Sequence, residues 1–329
     1  MELYPLKFIP QIHEKIWGGT KLLNELGKPG NQELLAGESW EISGVQDHIS
    51  EVANGPLAGN SLQDLCEIFM GELMGDSVYE QFGIEFPLLI KFIDANDDLS
   101  IQVHPNDELA KERHKAYGKT EMWYILQADP GAKLYFGFNQ AMNPNLYRRA
   151  VEENRIMEYL EAVEVNQGDA FFIPAGKVHA IGKGILLAEI QQTSDVTYRI
   201  YDYDRIDAQG AKRELHLDLA QDAIDYQSTN SGKIAFEPQA DTAIELTDQK
   251  YFRTNYFLLN QNILKDYHEL DSFVIYVVLS GVMTLHPSEG DSLDLKKGET
   301  LLIPAIIDHL QLEPHGSCEF LEVFIPNYH

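Results

Sequence analysis

The segment Gly168-Asp-Ala-Phe-Phe-Ile-Pro-Ala-Gly-Lys-Val-His179 has a counterpart later in the chain, Gly298-Glu-Thr-Leu-Leu-Ile-Pro-Ala-Ile-Ile-Asp-His309. Both copies contain an acidic residue after the glycine, an Ile-Pro-Ala tripeptide and a final histidine. A strand-like run precedes each copy, Glu121–Leu126 for the first and Phe273–Val278 for the second. Two related units are too few for a solenoid and are typical of a duplicated β architecture. We therefore predict two β-barrel domains.

Outside these units, most of the chain consists of short β-like runs separated by Gly, Pro and Asn. A few segments with helical spacing or capping residues interrupt them. Predicted helices begin at Ser61, within the capping sequence Ser61–Asp64; at Asn106, with an end at Gly118; at Asn143, with an end near Val163; and at Leu215, with an end at Tyr226. The predicted fold class is therefore mainly β with helical insertions.

A polar stretch, Gln227–Lys233, separates the two halves of the chain. Its sequence, Gln-Ser-Thr-Asn-Ser-Gly-Lys, has the composition of a loop or linker. We place the domain boundary there. This gives a first domain over residues 1–233, which contains the helical insertions, and a second domain over residues 234–329.

Composition and charge restrict the partners and the compartment. The chain has 329 residues with 25 Lys and Arg and 52 Asp and Glu, which gives a net charge of −27. This charge repels nucleic acids and anionic membranes, and the longest apolar run, Phe273–Leu279, is too short to span a bilayer. The N-terminus shows no apolar signal region, and Cys66 and Cys318 form no disulfide framework. We expect a cytoplasmic protein without a nucleic-acid or membrane partner.

Alternation in one strand-like stretch places polar side chains on a common face. In Leu-Ser-Ile-Gln-Val-His, which ends at His104, the polar residues Ser100, Gln102 and His104 alternate with apolar ones. Glu121 begins another strand-like run, and His179 follows a turn. Two imidazoles, a carboxylate and an amide oxygen from three β segments suit a divalent metal with room for a substrate. The alternative is a set of surface polar residues that are unrelated in space.

The second copy of the repeat lacks part of this set. Aligning Tyr124 with Tyr276 places Phe273 at the position of Glu121, so the carboxylate is missing. His309 has no evident ligand partner in the sequence and is expected to be a structural or surface histidine. We predict that the second domain binds no metal.

The sequence Pro-Ala-Gly-Lys-Val-His, which ends at His179, is similar to the second motif of cupins. The whole chain resembles the type I mannose-6-phosphate isomerases in their short bacterial form, over nearly its full length. Besides the His179 segment, the resemblance is carried by Trp17–Gly19, Gly37–Ser43, Gln102–Pro105, Gly118–Trp123 and Gln191–Arg199. It implies two cupin-like jelly-roll domains and an enzyme that interconverts mannose 6-phosphate and fructose 6-phosphate.

By motif position, the resemblance implies one zinc ion per chain, bound by Gln102, His104, Glu121 and His179. It also implies an aldose–ketose isomerisation, in which a proton moves between C1 and C2 through an enediol. Zinc then serves as a Lewis acid or as a template that orients the substrate. These four implied ligands are the same residues that strand alternation and the position of the histidine indicate as candidates for a metal site.

Three further residues have implied catalytic roles. Arg199 stands at the position of an active-site arginine, which stabilises the enediolate or contacts the substrate; an ion pair with Asp202 or Asp204 is the alternative. Lys119 and Asp195 are both candidates for proton transfer. Lys119 can instead bind the phosphate, since general-base catalysis requires a lowered lysine pKa.

The phosphate of such a substrate needs local positive charge in a chain of net charge −27. Ser100 is a candidate for this pocket because it shares the face of the implied metal ligands, although an ordinary strand position explains it equally well. Lysines and backbone N–H groups are the other expected contributors, with Lys91 and Lys177 as weaker candidates. Trp17 and Trp40 are expected in the core and outside the site.

Two other functions fit parts of the pattern. An iron-dependent cupin oxygenase uses two histidines and one carboxylate, and a phosphosugar-binding cupin without catalysis acts as a sensor. Gln102 as an additional ligand, together with Lys119 and Arg199, favours the isomerase over both. The expected partner is a small phosphosugar substrate.

Overall fold

The computed structural model describes residues 2–31, 33–206, 210–227 and 232–326. Strands predominate over helices in these residues, which confirms the predicted mainly β class. The strands are β1 (Gln11–Gly19), β2 (Ala36–Ser43), β3 (Leu88–Ala95), β4 (Ile101–Val103), β5 (Glu121–Ala128), β6 (Lys133–Phe138), β7 (Leu160–Glu164), β8 (Ala170–Ile173), β9 (His179–Ile181), β10 (Ile185–Gln192), β11 (Tyr198–Tyr201), β12 (Lys233–Ile234), β13 (Ile244–Gln249), β14 (Phe252–Leu259), β15 (Ile263–Asp266), β16 (Val274–Ser280), β17 (Val282–Pro287), β18 (Leu293–Lys296), β19 (Thr300–Ile303), β20 (His309–Pro314) and β21 (Cys318–Phe324). The helices are α1 (Lys21–Asn24), α2 (Leu62–Phe69), α3 (Gly71–Met74), α4 (Asp76–Phe82), α5 (Asp107–His114), α6 (Pro144–Glu152) and α7 (Leu217–Ala223), with 3-10 turns at Gly55–Leu57 and Ile156–Tyr159.

The described strands form four sheets, none of which closes on itself. The first sheet pair combines a seven-stranded sheet, β1-β2-β3-β10-β5-β8-β12, with a five-stranded sheet, β11-β4-β9-β6-β7. The second sheet pair combines a five-stranded sheet, β13-β14-β21-β16-β19, with a four-stranded sheet, β15-β20-β17-β18. The strand order β2-β3-β10-β5-β8 in the first pair corresponds to β13-β14-β21-β16-β19 in the second. The two copies of the repeated segment therefore occupy matching positions.

Strand β10 separates two apolar cores because its side chains alternate between the faces of the seven-stranded sheet. Leu187 belongs to the core between the two sheets of the first pair. Leu186 and Ala188 belong to a larger core, which also contains Ile275 and Val277 of the second sheet pair. All the residues of β10 are buried. The second sheet pair thus packs against the outer face of the seven-stranded sheet.

Three predicted helices begin at the expected caps, Ser61, Asn106 and Asn143. Ser61 caps α2 with a complete capping box, in which its side chain and that of Asp64 bond reciprocally to the backbone. Asn106 caps α5 by accepting a hydrogen bond from the backbone three residues later. The prediction that Gly118 ends this helix is wrong, because Lys115 already takes a left-handed conformation with φ of 55° and closes α5.

The helix that begins at Asn143 ends much earlier than the sequence predicts. Helix α6 ends at Glu152, a 3-10 turn follows, and the residues before and after Val163 form β7. Asn154 has a positive φ of 56°, and β7 pairs with β6, so the chain leaves the helix to complete a sheet. The last predicted helix is present as α7, within residues 215–226. None of the described helices is long and apolar enough to cross a membrane.

The predicted linker, residues 227–233, lies partly outside the described residues, which omit 228–231. At its far end, Lys233 and Ile234 form β12, which pairs with β8 at the edge of the seven-stranded sheet. β12 therefore crosses the predicted boundary, because Lys233 ends the first domain and Ile234 begins the second, and both pair within the sheet that contains Glu121.

Candidate active site

A cleft of about 320 Å³ lies in the first sheet pair and is lined by the predicted substrate-contacting and proton-transferring residues Ser100, Lys119, Asp195 and Arg199. The predicted ligand Gln102 also lines it. A larger cavity of about 570 Å³ lies at α4 and α5, and the described residues that line it include none of the predicted site. We therefore assign the candidate site to the smaller cleft, where the chemically active side chains converge.

Three predicted metal ligands meet next to this cleft. One ligand atom from each of His104, Glu121 and His179 lies within 4.8 Å of the other two. His104 Nε2 is 3.2 Å from Glu121 Oε1, and His179 Nε2 is 3.8 Å from Glu121 Oε2. Gln102 lies opposite His179 in the β4–β9 register, with its amide nitrogen 3.3 Å from His179 Nε2. Because the amide nitrogen and oxygen can exchange places, Gln102 can turn an oxygen ligand toward the group.

Hydrogen bonds assign the proton of each histidine to one ring nitrogen. His104 Nδ1 lies 2.9 Å from Val196 O, and His179 Nδ1 lies 2.8 Å from Lys177 O. Because a carbonyl oxygen only accepts, each Nδ1 donates and each Nε2 presents a lone pair toward Glu121. Carbonyl partners of this kind orient the rings of metal-binding histidines.

The ligand group contains buried acceptor atoms that lack hydrogen-bond donors within the described part of the chain. His104 Nε2 and both carboxylate oxygens of Glu121 are buried and form no hydrogen bond with the described residues. Burial, followed by the charge of Lys119, lowers the pKa of His104 to about 3, so its ring is neutral near pH 7. A lone pair and a carboxylate oxygen in a buried site repel each other unless a proton or a metal ion lies between them. Two imidazoles and a carboxylate therefore fit a divalent transition metal.

Lys119 provides the counter-charge for Glu121. Its Nζ lies 3.2 Å from Glu121 Oε1. Burial on its own would raise the pKa of Glu121, but Lys119 and His104 lower it well below its ordinary value, so the carboxylate is ionised. The backbone of the preceding residue, Gly118, packs so closely on α5 that a Cβ there would lie 2.5 Å from Asp107 N. This close approach of Gly118 positions Lys119.

Arg199 extends from β11 into the cleft. It lies opposite Gln102 in the β4–β11 register, so the two side chains are on the same face. Its Nη1 donates to Glu214 O at 2.9 Å, and its Nε is buried without a hydrogen-bond partner among the described residues. Burial and the neighbouring Arg213 lower the pKa of Arg199. The guanidinium therefore retains an unsatisfied donor beside the cleft.

The two carboxylates considered as partners of Arg199 pair with other cations. Asp202 accepts hydrogen bonds from Arg205 at 2.6 Å and from Arg213 Nε at 2.7 Å. Asp204 pairs with an exposed lysine. Arg213 also lines the cleft, although it lies in a segment without strand periodicity and was not predicted as a site residue.

The lysines considered for phosphate binding differ in position. Lys91 lines the cleft, but its ammonium contacts Glu189 Oε1 at 3.0 Å and Gln191 Oε1 at 2.7 Å. Lys177 lies with its Nζ 5.0 Å from the centre of the Phe136 ring, and it is not among the described cleft-lining residues. Neither ammonium is as directly available to a cleft ligand as the guanidinium of Arg199, which extends into the cleft.

Trp17 and Trp40 are buried in apolar clusters, as predicted, and both also line the cleft. Trp40 Nε1 donates to Glu38 Oε2 at 2.7 Å, and Lys15 Nζ lies 3.3 Å from Glu38 Oε1. Burial on its own would raise the pKa of Glu38, but Lys91 and Lys15 lower it to about 2. The signal was present in the sequence, because Lys15 and Trp17, like Glu38 and Trp40, are two residues apart on a strand and share a face.

The chain is similar to proteins that are named as phosphomannose or mannose-6-phosphate isomerases. The family described as "Phosphomannose isomerase type I, catalytic domain" matches residues 5–128. The mannose-6-phosphate isomerase ManA of Bacillus subtilis is 36% identical over 324 residues, which are 97% of this chain and 98% of that protein. The mannose-6-phosphate isomerase of Streptococcus mutans is 34% identical over 310 residues, 94% of this chain and 95% of that protein.

Solved structures agree with the sequence matches. The crystal structure of the mannose 6-phosphate isomerase from Bacillus subtilis has a TM-score of 0.85 and 32% identity, covering 97% of this chain and 99% of that chain. A structure of a phosphomannose isomerase variant from Salmonella typhimurium has a TM-score of 0.77 and 19% identity, which shows a shared fold. Near-complete alignment to relatives of more than 30% identity, together with the assembled ligand group, shows that the chain belongs to the type I phosphomannose isomerase family.

Proposed function

We propose that this protein is an aldose–ketose isomerase that interconverts D-mannose 6-phosphate and D-fructose 6-phosphate. The full-length relatives are named for this activity. The observation that carries the proposal is the convergence, at one cleft, of the buried group His104, Glu121 and His179 with Lys119 and Arg199. A metal-binding group beside two cations suits a reaction that develops negative charge on sugar oxygens.

We propose that the metal is one Zn²⁺ per chain and that Gln102, His104, Glu121 and His179 hold it. Two imidazole nitrogens, a carboxylate and an amide oxygen form a ligand set that zinc accepts. The buried and unsatisfied Nε2 of His104 and carboxylate of Glu121 support this assignment. When bound, zinc supplies a Lewis acid or an orienting template for the sugar oxygens.

The isomerisation transfers hydrogen between neighbouring carbons. A base removes the proton from C2 of the aldose, which gives an enediol, and a proton is then returned to C1. The C2 hydroxyl loses its proton and the C1 oxygen gains one, so that C2 becomes the carbonyl carbon. Arg199 is proposed to stabilise the enediolate through its fixed positive charge. Lys119 and Asp195 are the two proposed carriers of the carbon-bound proton: Lys119 adjoins Glu121, and Asp195 faces the cleft.

Ser100, Lys119 and Arg199 are proposed to bind the substrate. All three line the cleft. Ser100 is buried and directly precedes β4, which carries Gln102, and it lines the cleft, so its hydroxyl is available to a substrate oxygen near the ligand group. The two cations supply local positive charge for a phosphosugar in a chain of net charge −27.

We further propose that each sheet pair is a cupin-like jelly roll, with a catalytic domain over residues 1–233 and a second domain, without metal, over residues 234–329. Jelly rolls consist of two facing sheets, so open sheets agree with this architecture. The matching strand orders of the two pairs support it. The free cysteines Cys66 and Cys318 suit a reducing compartment, and we propose the cytoplasm.

The test is a coupled assay of mannose 6-phosphate conversion on purified protein of known metal content. Activity should disappear after chelation and return when zinc is restored. Iron restored in place of zinc, with consumption of oxygen, would instead support a cupin oxygenase. Absence of turnover in folded, zinc-loaded protein that still binds the phosphosugar would contradict catalysis and support a sensor.

A further inference from the structure

A buried carboxylate beside the cleft holds two arginines. Asp202 is 5% exposed and accepts hydrogen bonds from Arg205 and Arg213. Arg213 binds it through two nitrogens, Nε at 2.7 Å and Nη2. Because a bidentate contact fixes the plane of the guanidinium, the Nη1 edge of Arg213 points away from Asp202.

The two arginines on Asp202 have different surroundings. Arg213 lines the cleft. Arg205 donates from Nη1 to Asp98 O at 2.5 Å, and its guanidinium carbon lies 5.2 Å from the centre of the Tyr203 ring. Arg205 therefore anchors Asp202 from the protein side, whereas Arg213 presents a cation to the cleft.

The segment that carries Arg213, residues 213–216, lies alongside β11. His216 N donates to Arg199 O at 2.7 Å, and Arg199 N donates to His216 Nδ1 at 3.0 Å. The carbonyl of Glu214 accepts the hydrogen bond from Arg199 Nη1. Residues 213–216 thus position Arg199 and place Arg213 beside it.

The hydrogen bonds between Arg199 and His216 determine where the Arg213 segment lies relative to the predicted metal ligands. The five-stranded sheet runs in the order β9, β4, β11, and these strands carry His179, Gln102 and Arg199. The segment that begins at Arg213 lies beyond β11, two strand spacings or about 10 Å from β4. An open-chain hexose 6-phosphate with C1 and C2 at the ligand group is long enough to reach this segment with its phosphate.

No carboxylate among the described residues is hydrogen-bonded to Arg199, although Asp195 also lines the cleft. Arg199 contacts a carbonyl rather than a carboxylate, and Arg205 and Arg213 share Asp202. Asp97 Oδ2 lies 3.8 Å from Arg205 Nη1 and adds a second carboxylate to this cluster. A dianion between Arg199 and Arg213 would meet two cations and use the donor groups that the Glu214 carbonyl and Asp202 leave open.

We propose that Arg213 binds the 6-phosphate of the substrate and, beside Arg199, determines the preference for phosphorylated over free hexoses. This inference rests on the proposed function and adds a residue to its substrate-binding set. Arginine is always charged and pairs bidentately with phosphate. Asp202 holds Arg213 in place before the substrate arrives, so binding costs little side-chain entropy.

The experiment compares Arg213→Ala and Arg213→Lys with the wild type. KM and kcat are measured for mannose 6-phosphate, and inorganic phosphate is used as a competitive inhibitor. Arg205→Ala is the matched control, because it removes a guanidinium from the same carboxylate on the side away from the cleft. Zinc content and thermal unfolding of every variant establish that the site and the fold are retained.

Loss of a charge-assisted contact to phosphate should raise KM in Arg213→Ala about 10-fold to 100-fold and weaken phosphate inhibition by a similar factor. The value of kcat should change much less, and Arg213→Lys should lie between Arg213→Ala and the wild type. Unchanged KM and unchanged phosphate inhibition in Arg213→Ala would overturn the inference. An equal effect of Arg205→Ala would also overturn it, because the cause would then be the Asp202 cluster as a whole.

A direct measurement of phosphate binding distinguishes failure of this inference from failure of the proposed function. If the zinc-loaded wild type has no isomerase turnover, the proposed reaction is contradicted, whereas calorimetry with inorganic phosphate still tests Arg213. Tighter phosphate binding by the wild type than by Arg213→Ala would support the anion site. Equal binding by both proteins would exclude it. Arg213→Lys gives the same comparison if Arg213→Ala does not fold.

Discussion

His104 Nε2 and Glu121 Oε1 lie 3.2 Å apart although both atoms are hydrogen-bond acceptors. The carbonyl of Val196 keeps the proton of His104 on Nδ1, which leaves the lone pair of Nε2 facing the carboxylate. In a buried site, such a contact is stable when a cation joins the two atoms. The fold therefore holds these two side chains in a geometry that suits metal coordination.

His104→Ala and His179→Ala should each lower the zinc content of the purified protein by about 10-fold or more, because each removes a nitrogen ligand. Metal analysis per chain measures the effect. His309→Ala is the matched control: His309 begins the corresponding strand of the second sheet pair and its side chain is exposed. Zinc content in His104→Ala equal to that of the control would contradict the ligand set.

The metal-free protein should lose stability as the pH falls below 6.5. Burial and Lys119 lower the pKa of His104 from 6.5 to about 3, so the unfolded chain binds the proton first. This contribution to stability is complete above pH 6.5 and is lost progressively as the pH falls toward 3; burial lowers the pKa of His179 as well and acts in the same direction. Denaturant unfolding of chelated protein at several pH values measures it. His104→Gln should flatten the profile, and an unchanged profile would contradict the assignment.

Arg199→Ala should retain zinc and lose turnover. Removal of a fixed donor from a developing oxyanion typically lowers kcat about 100-fold to 1000-fold. Metal analysis and steady-state kinetics on the same preparation separate the two effects. Full turnover in Arg199→Ala would exclude a role in stabilising the enediolate, and loss of zinc would indicate that the residue maintains the ligand group instead.

Lys119→Met and Asp195→Asn should identify the carrier of the C2 proton. The variant that lacks the base should cleave the C2–H bond about 100-fold to 10,000-fold more slowly. Proton NMR of mannose 6-phosphate in heavy water follows this step directly. The other variant should retain C2–H cleavage more fully, and retention of cleavage in both would contradict a role of either residue as the base.

Gly118→Ala should lower both kcat and thermal stability. A Cβ at this position would lie 2.5 Å from Asp107 N, so the backbone next to Lys119 must move. Gly131→Ala is the control: Gly131 has a positive φ of 77° but open space around the added carbon, so it strains the backbone away from the site. Thermal unfolding and kcat together measure the difference, and equal kcat values in the two variants would contradict a positioning role of Gly118.

The candidate ligands could be proposed from the sequence because the signals that mark them are local, and the structure brings His104, Glu121 and His179 together. Gln102 and His104 are two residues apart on a strand, and that spacing alone places them on one face. His179 was marked by the internal repeat, and Glu121 began a strand of recognisable composition. Each of these signals can be recognised without knowing how distant segments of the chain pack.

The rest of the cleft wall depends on contacts that sequence periodicity does not contain. Arg213 lies in an irregular segment, and its place in the cleft follows from its bidentate contact with Asp202. The lengths of α5 and α6 were overestimated for a related reason. Lys115 leaves the helical conformation, and the chain after Glu152 leaves the helix to pair with a strand that is distant in sequence.

The burial of β10 on both faces means that the first sheet pair cannot be separated from the second without exposing apolar surface. Leu186 and Ala188 pack in a core shared with the second sheet pair, so a fragment that ended near residue 233 would expose an apolar surface to water. The catalytic half is consequently not a portable module that can be transplanted by gene fusion. Because the two sheet pairs share this core, they should unfold in a single thermal transition.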